Sequence, residues 1–389
     1  MPGSLAGVVE AVVGLGDLEA MAPQDRRLPD AGAGAGAQDA PGPHAGPSPC
    51  AAATERGTTA TTLATAYSMT SLEPADEGQG ETVGIYELEP YLPGDISAFE
   101  NCYTPSPTTV PTAVPVDGAA PNAGPGTGES ALDIEEVIGL APKAAVDVYV
   151  GPNGGLGPLD VYAAMIDQDA AQVLSTSWGE CEPAAGTAVI EAEGALLSQA
   201  VAQGQTVVAA AGDEGSLDCD VPGLSTDSSL EVDDPASQPD VTGVGGTDLL
   251  VTGPPTSETV WNTGLIEGTG GGGVSRLWTM PSWQLGPGVE NAATRADDSY
   301  TGQSPCGLSS GAGTVSCREV PDVAALGDPN MGFATYFDGT WQAIGGTSMG
   351  APLWAAVTAL ADEALGAPGS RLGLLNPALY DAGCRSTPP

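Results

Sequence analysis

The sequence is poor in basic side chains and in histidine, the residue that most often serves as a catalytic base. It contains 9 Lys and Arg against 50 Asp and Glu, a formal net charge of −41 at pH 7, and one histidine. Phosphate backbones and anionic membranes would repel such a charge, which argues against nucleic acid or a membrane surface as a partner. The charge fits a protein that works in acid, where carboxylates are protonated, and equally an acidic, soluble surface.

Long apolar runs and metal-binding cysteine spacings are also missing. No stretch of about 18 apolar residues occurs, so no membrane span is expected. The first 20 residues lack the basic start and unbroken apolar run of a secretion signal, and we expect any such signal upstream of Met1. The cysteines include no C-x-x-C pair, and with a single histidine they provide no Cys/His zinc set.

The chain is rich in glycine and proline and contains several cysteines. The 56 Gly and 35 Pro favour short turns and close backbone approaches over long helical bundles. Two disulfides are possible, one between Cys306 and Cys317 around a Gly/Ser-rich loop and one between Cys181 and Cys219, which suggests an oxidising compartment. The pairing cannot be deduced from the sequence, and seven cysteines leave at least one thiol unpaired.

Apolar strand-like runs alternate with helix-like runs through the middle of the chain. We predict strands at residues 82–87, 146–150, 172–178 and 205–211, and helices at residues 129–140, 158–167, 187–203 and 348–365. This alternation indicates an α/β fold with a parallel sheet covered on both faces, in which chemistry lies beyond the carboxyl ends of the strands. Two Pro/Gly-rich tracts, at residues 29–49 and 104–128, are typical of a flexible linker and a long surface loop.

A late glycine-rich segment contains the strongest candidate for a nucleophile. Residues 345–352 read GGTSMGAP and precede an apolar helix-like run. Ser348 would lie at the start of that helix, where free N–H groups and the helix dipole favour the negative charge that forms during acyl transfer. An isolated serine in this position would equally well be a helix cap.

Carboxylates are the best candidates for the base that takes the proton from Ser348. His44 is the only histidine and lies in the Pro/Gly-rich linker, where an imidazole would not be rigidly oriented. Lys143, the only lysine, lies beside Pro142 at a helix-to-strand turn and is expected on the surface. Glu129 and Asp133 are four residues apart on a predicted helix, so they share a face and cannot both ionise freely. Such a pair can act as base and orienter in moderate acid, although acids also suit a helix N-terminus for its dipole alone.

A further acid follows a predicted buried strand. Asp213 lies between glycines in the sequence AAGDEGS. If protonated, it could donate a hydrogen bond to a developing oxyanion, whereas a turn aspartate that binds its own backbone is the simpler interpretation. Glu87 and Trp178 end strand-like runs and could support the acid pair, but packing or surface roles are the simpler prediction for both.

Three motifs, in this order, resemble those of the sedolisin (serine-carboxyl peptidase) family of the subtilisin-like superfamily. They are GESALD at residues 128–133, AGDEG at 211–215 and GTSMGAP at 346–352. The resemblance covers roughly residues 60–380, and it implies a subtilisin-like fold with a doubly wound parallel sheet. It also implies a serine-type endopeptidase that hydrolyses protein or peptide substrates at acidic pH. In that comparison Ser348 looks like the nucleophile, Glu129 the general base, Asp133 its partner and Asp213 the oxyanion donor.

The same resemblance divides the chain and implies a cofactor. Residues 1–28 look like the remnant of an N-terminal pro-segment, residues 29–57 like a flexible linker with the maturation junction, and residues 58–389 like a secreted peptidase domain that is incomplete at its C-terminus. Family members bind calcium after the N-P-x-L-Y text, here residues 376–380. Calcium is therefore expected for full-length relatives, with its ligand segment absent from this chain. Two alternatives stay open, an inactive or binding-only fragment of the same fold and a histidine-dependent subtilisin-type protease.

Overall fold

The secondary structure can be given for most of the chain. The computed structural model describes residues 20–27, 47–69, 72, 77–107, 109–118, 124, 126–220, 225–250, 257–264, 266–286, 289, 306 and 316–386. The strands in these ranges are β1 (Ala22–Pro23), β2 (Arg26–Arg27), β3 (Thr82–Glu87), β4 (Thr112–Pro115), β5 (Ala145–Val150), β6 (Val173–Thr176), β7 (Trp178–Cys181), β8 (Thr206–Ala210), β9 (Asp233–Asp234), β10 (Thr242–Leu250), β11 (Ser257–Val260), β12 (Gly273–Thr279), β13 (Cys317–Val320), β14 (Val323–Leu326), β15 (Phe333–Phe337) and β16 (Thr340–Gly345). The helices are α1 (Ala51–Thr54), α2 (Ala60–Ala66), α3 (Pro93–Cys102), α4 (Thr127–Leu140), α5 (Gly157–Gln168), α6 (Glu182–Ala185), α7 (Thr187–Ala202), α8 (Gly350–Ala364) and α9 (Asn376–Ser386). No helix in the described ranges is both long and apolar enough to cross a membrane.

An eight-stranded sheet forms the centre of the molecule. Its order is β11-β10-β8-β6-β3-β5-β4, and β14 also pairs with β10. Its neighbouring strands run parallel, except for the antiparallel pair of β10 and β11. The direction of winding reverses at β3, which has β5 on one side and β6 on the other. A crevice forms beyond the carboxyl ends of the strands at such a switch point. The predicted doubly wound parallel sheet is confirmed.

Helices cover both faces of this sheet. Helices α4 and α8 pack together on one face, and α5 and α7 pack together on the other. Alternate residues of β3 pack against the two helical layers, because successive side chains of a strand point to opposite faces of the sheet. Ile85 packs in the core that contains Ile134 of α4, while Tyr86 stacks on Tyr162 of α5 with ring centroids 4.3 Å apart.

Helix α4 is enclosed along its whole length. All 14 of its residues are buried, because it lies between the sheet, α8 and β15. Its acidic side chains are therefore removed from water, although a helix with four carboxyls and two hydroxyls would ordinarily turn such groups outward. This burial is what gives the acids of α4 unusual protonation behaviour.

The predicted elements are recovered with local differences. Strand 82–87 matches β3, but the predicted strand 172–178 is two strands, β6 and β7, that break at Ser177. The predicted helix 348–365 begins only at Gly350, after a tight turn at Thr347–Met349. The predicted surface loop 104–128 contributes β4 to the edge of the sheet.

Three disulfide bonds tie the loops to this framework. Cys181–Cys219 and Cys306–Cys317 are the two pairs considered from the sequence, and Cys50–Cys102 is a third. The third bond fixes the end of the predicted linker, since residues 47–57 pack onto the domain and Ser48 exchanges backbone hydrogen bonds with Thr104 at 2.9 Å. Residues 28–46, which include His44, lie outside the described residues.

Candidate active site

The first turn of α4 brings two acids together inside the protein. Glu129 and Asp133 are both fully buried, one helical turn apart. Asp133 Oδ1 accepts a hydrogen bond of 2.9 Å from the Ser177 hydroxyl. Burial raises the pKa of both carboxyls, and the charge of Asp133 raises the pKa of Glu129 further. The pair therefore retains a proton in weakly acidic solution, so one member can be a carboxylate while the other stays protonated.

A third buried acid extends this pair toward the sheet. Glu87, the last residue of β3, accepts a hydrogen bond of 2.9 Å from Trp178 Nε1 and one of 2.7 Å from the Ser130 hydroxyl, both at Oε2. Burial raises the pKa of Glu87, and the neighbouring Asp133 adds to the effect. The sequence prediction gave Glu87 and Trp178 packing or surface roles, whereas the structure places both beside the acid pair.

Ser348 lies in the turn between β16 and α8. Gly346 precedes it with φ of 105°, a conformation that favours glycine, and a side chain there would collide with the Gln24 carbonyl and the Asp213 carboxylate. The Ser348 side chain is fully buried. Its hydroxyl makes no standard hydrogen bond with a described residue, but it is close enough to Glu129 to lower the pKa of that carboxyl. The hydroxyl therefore faces the acid pair, as the three motifs together predict.

Asp213 reaches the same turn from the end of β8. Its Oδ1 accepts hydrogen bonds from Thr347 N at 2.7 Å and from Thr347 Oγ1 at 3.1 Å. Its Oδ2 lies 3.5 Å from Arg26 Nε. Burial raises the pKa of Asp213 to about 7, although the positive charge of Arg26 opposes this shift. Asp213 is therefore a carboxyl group that changes protonation near neutral pH, directly beside Ser348.

A short extended segment of the chain itself occupies the space between these residues. We call residues 20–27 the cleft segment. Its strand β1 pairs antiparallel with β7, and its strand β2 pairs antiparallel with β16. Between the two strands, Gln24 N donates to the Ser177 carbonyl at 2.9 Å, and Ser348 N donates to the Gln24 carbonyl at 3.1 Å. A peptide group of the chain is thus held against Ser348.

The side chains of the cleft segment contact acidic groups of the cleft. Gln24 Nε2 donates to Asp233 Oδ2 at 3.2 Å. Arg26 forms ion pairs with Glu214 and, at 3.5 Å, with Asp213. The negative charge of Asp25 raises the pKa values of Glu129 and Asp133. The cleft is therefore rich in carboxyl groups on both sides of Ser348.

The other candidate bases do not lie in this arrangement. Lys143 follows the C-terminal end of α4, about 20 Å along the helix from its first turn, and pairs with Glu77 at 3.3 Å with a half-exposed side chain. His44 lies outside the described residues. Within the part of the chain that the structure describes, no group of three or more His, Cys, Asp or Glu side chains could hold a metal ion.

Several contacts of the site carried no sequence signal. Ser177 is one of three consecutive hydroxyl residues in its strand-like run, and its partner Asp133 is 44 residues away. Gln24 and Arg26 lie in a segment that we interpreted only as the remnant of a pro-segment. A motif contains residues at a fixed, short spacing. Contacts between residues that are far apart in the sequence can therefore be identified only in the folded structure.

Comparisons with known proteins agree with this geometry. The model of the subtilase family matches residues 118–372. Kumamolisin of Bacillus sp. (strain MN-32) is 38% identical over 313 residues, which are 78% of this chain and 52% of that protein. Sedolisin of Pseudomonas sp. (strain 101) is 32% identical over 259 residues, 62% of this chain and 40% of that protein. The chain thus spans about half the length, or less, of these curated relatives.

A solved structure extends the agreement to three dimensions. Pseudomonas sedolisin, described as a serine-carboxyl proteinase complexed with two molecules of pseudo-iodotyrostatin, superposes with a TM-score of 0.69 at 26% identity. The match covers 85% of this chain and 86% of that one. The similarity therefore extends over most of the chain and supports a subtilisin-like fold.

Proposed function

The chain belongs to the subtilase family, in its sedolisin branch of serine-carboxyl peptidases, and from that premise we propose that it hydrolyses peptide bonds in acidic solution. The nucleophile is the Ser348 hydroxyl. Its proton passes to Glu129, which Asp133 orients and keeps in the right protonation state. The substrates are proteins or peptides.

The acid pair supplies the proton transfer in this proposal. Removal of the Ser348 proton requires a carboxylate within reach, and Glu129 is the carboxylate that the hydroxyl faces. Because both pKa values of the pair are raised by burial, the proton that Glu129 accepts is not lost to water, and it can be returned to the leaving nitrogen. Ser177 donates to Asp133 and so fixes the direction in which that carboxyl points.

Two donors face the carbonyl oxygen at which negative charge develops. Ser348 N already donates to the carbonyl of the peptide in the cleft. Asp213 in its protonated form supplies a second hydrogen bond from Oδ2, because its Oδ1 is occupied by Thr347. Donors that are fixed before the reaction stabilise the oxyanion without reorganisation.

The observation that carries the proposal is the burial of two adjacent carboxyls directly beside the hydroxyl of Ser348. Structural helix acids are normally solvated or paired with a cation. Both oxygens of Glu129 lack a hydrogen-bond partner among the described residues, an arrangement that costs folding free energy. A catalytic role accounts for such a group where it lies beside a nucleophile, as Glu129 lies beside Ser348.

We expect single substitutions at Ser348 and Glu129 to separate the two roles. Ser348→Ala removes the nucleophile and should lower kcat by about four orders of magnitude or more. Glu129→Gln keeps the shape but removes the base, and kcat should fall about 10²- to 10⁴-fold with little change in KM. The kcat and KM of both variants are measured from the hydrolysis of a denatured protein at about pH 4.

A matched control distinguishes loss of the base from a general effect of removing an acid. Glu191 lies exposed on α7, on the opposite face of the sheet, and Glu191→Gln should retain full activity. Near-normal turnover of folded Glu129→Gln would eliminate the carboxylate mechanism. Loss of activity on replacement of His44 in a folded chain would instead favour the histidine-dependent alternative.

The remaining predictions concern the environment in which the protein works. We propose an extracellular or otherwise oxidising compartment, which the three disulfides favour. The large negative charge disfavours nucleic acid and anionic membranes as partners. Calcium remains a prediction for full-length relatives, and its test is the thermal stability of the longest available form with and without a calcium chelator.

A further inference from the structure

Glu214 is a buried acid beside the candidate active site that the proposed reaction does not use. The backbone around it is fixed by Thr269, which donates its N–H to the Asp213 carbonyl at 2.9 Å and accepts from Gly215 N at 3.2 Å. Glu214 is 4% exposed, and its Oε2 accepts a hydrogen bond of 3.1 Å from Asp213 N. The direction in which its other oxygen, Oε1, points is therefore fixed as well.

That second oxygen contacts the guanidinium of Arg26 in the cleft segment. Arg26 Nη2 donates a hydrogen bond to Glu214 Oε1 within an ion pair. Arg26 Nε lies 3.5 Å from Asp213 Oδ2, so Asp213 is the more distant of the two acidic partners. Glu214 is therefore the main partner of this positive charge.

Arg26 occupies a defined position relative to the nucleophile. The Gln24 carbonyl accepts a hydrogen bond of 3.1 Å from Ser348 N, so Gln24 is the residue whose carbonyl faces the nucleophile. Arg26 comes two residues later, and its backbone pairs with Gly345 in the antiparallel ladder of β2 and β16. Extended peptides commonly bind by adding a strand to such an element. A substrate in this register places the second residue after its cleaved bond beside Glu214.

The cavity next to Arg26 is acidic. It has a volume of about 380 Å³, and Arg26 is the only basic side chain among the described residues that line it. The acids that line it are Glu180, Glu214, Asp218 and Asp227. Without a cation at this point, Glu214 would be a buried charge with no opposite charge in contact, which costs free energy. A basic side chain is therefore the group that this position stabilises best.

We infer that Glu214 is a specificity-determining residue that favours substrates with arginine or lysine as the second residue after the cleaved bond. This inference rests on the proposed peptidase activity and adds a substrate preference to it. Arginine is preferred to lysine, because a planar guanidinium can approach Asp213 while it pairs with Glu214. An acidic side chain at the same position is disfavoured, because its charge faces that of Glu214.

The test compares two synthetic peptides on the full chain. They are identical except for the second residue after the cleaved bond, which is arginine in one and citrulline, an uncharged analogue of nearly the same shape, in the other. Mass spectrometry of the products identifies the cleaved bond. At about pH 5, kcat/KM should be about tenfold higher for the arginine peptide. At that pH Asp213, with a pKa of about 7, stays protonated with both peptides.

The ratio of the two kcat/KM values is the quantity to compare between proteins. The cleft segment competes with both peptides alike and lowers both values by the same factor, so it cancels from the ratio. In Glu214→Gln the side-chain amide can still accept from Asp213 N, but the negative charge is gone, and the ratio should fall below about twofold. Asp227→Asn removes an exposed acid from the same cavity. It should leave the ratio unchanged, because exposed charges are screened.

The outcomes separate this inference from the proposed function. Equal kcat/KM values for the two peptides on the wild type would overturn the preference and leave the peptidase intact, and this comparison needs no variant to fold. A wild-type ratio in Glu214→Gln, or an equal loss of the ratio in Asp227→Asn, would overturn the assignment to Glu214. Absence of hydrolysis of both peptides and of a denatured protein would remove the proposed activity, and the inference with it.

Discussion

At the scale of single residues, Asp213 shows how one buried carboxyl can confine an activity to acid. Its Oδ1 is held by two hydrogen bonds from Thr347, so only Oδ2 can carry the proton toward an oxyanion. With a pKa of about 7, the group is protonated in acid and becomes an acceptor above neutral pH. In the proposed mechanism, the oxyanion donor is thus present below about pH 7 and lost above it.

An asparagine at this position separates the hydrogen bond from its titration. In Asp213→Asn the amide oxygen can take the two Thr347 donors, which leaves the NH2 group at the position of Oδ2. We expect activity at about pH 5 to stay within about tenfold of the wild type, because one neutral donor replaces another. The fall in kcat/KM that the wild type shows near neutral pH should move upward by at least about one pH unit.

The measurement is the pH dependence of kcat/KM for the wild type, Asp213→Asn and a matched surface variant. Asp240 accepts a hydrogen bond from Ser198 on the surface, and Asp240→Asn should reproduce the wild-type profile. An unchanged upper limit in Asp213→Asn would assign the titration to another group. The acid pair would then be the first candidate, since both of its pKa values are raised as well.

The sequence singled out the four candidate site residues because each lies in a short motif. Glu129 and Asp133 are close by helix geometry alone. Asp213 directly follows Gly212, and Ser348 comes two residues after Gly346, both glycines with positive φ. Gln24 and Ser177 could not be predicted, because an ordinary glutamine and an ordinary serine acquire their roles from contacts across the fold. Glu87 was underestimated for the same reason, since its partners Ser130 and Trp178 are 43 and 91 residues away.

At the scale of elements, α4 holds more buried acid than the site uses. Glu136 is fully buried on this helix, and neither of its oxygens has a hydrogen-bond partner among the described residues. Burial raises its pKa, and the charge of Asp133 adds to the effect. A carboxyl whose pKa is raised by folding stabilises the fold below its unfolded pKa, and this stabilisation is lost as the pH rises through the folded pKa.

Glu136→Gln should therefore stabilise the protein at neutral pH and not in acid. The amide does not titrate, so the free energy of unfolding at about pH 8 should rise by about 1–3 kcal/mol. Near pH 4 the wild-type carboxyl is already protonated, and the variant should match it. Urea unfolding of both proteins at the two pH values measures the difference, with the exposed Glu191→Gln as the control. A variant that is less stable than the wild type at about pH 8 would contradict the argument.

Element boundaries were predictable where burial alone decides them. Strand β3 matches its predicted range because both of its faces are covered, so its apolar run ends where the cover ends. The predicted strand 172–178 divides at Ser177, because the backbone there turns to present its carbonyl to Gln24. No local feature of the sequence indicates the turn at Ser177. The sequence likewise did not indicate the disulfide bond between Cys50 and Cys102. This bond fixes the end of the segment 29–57, which its composition had led us to predict as a flexible linker.

At the scale of the whole molecule, buried and exposed carboxyls both make the folded protein more stable in acid than at neutral pH. The parallel sheet and its two helical layers were predictable from apolar runs, but the large number of enclosed acids was not, because acidic residues are usually exposed. Folding raises the pKa of Asp213 and of Asp362 to about 7. Burial raises the pKa values of Asp218, Asp233 and Asp234 as well. The folded chain therefore binds more protons than the unfolded chain between about pH 4 and pH 7.

This linkage predicts that the protein is most stable in acid, opposite to the behaviour of proteins with paired surface carboxylates. The Tm of the Ser348→Ala chain, which cannot digest itself under the proposed mechanism, should fall by at least about 5 °C between pH 4 and pH 8. Added salt screens the mutual repulsion of the exposed Asp and Glu side chains but acts weakly on enclosed groups. Calorimetry at about 0.05 M and 0.5 M salt separates the contribution of surface repulsion from that of the buried carboxyls. High salt should restore only the part of the Tm that surface repulsion removes at pH 8. Full recovery at high salt would assign the effect to surface charge alone, and a Tm that is equal or higher at pH 8 would mean that the buried carboxyls are not protonated in the folded protein.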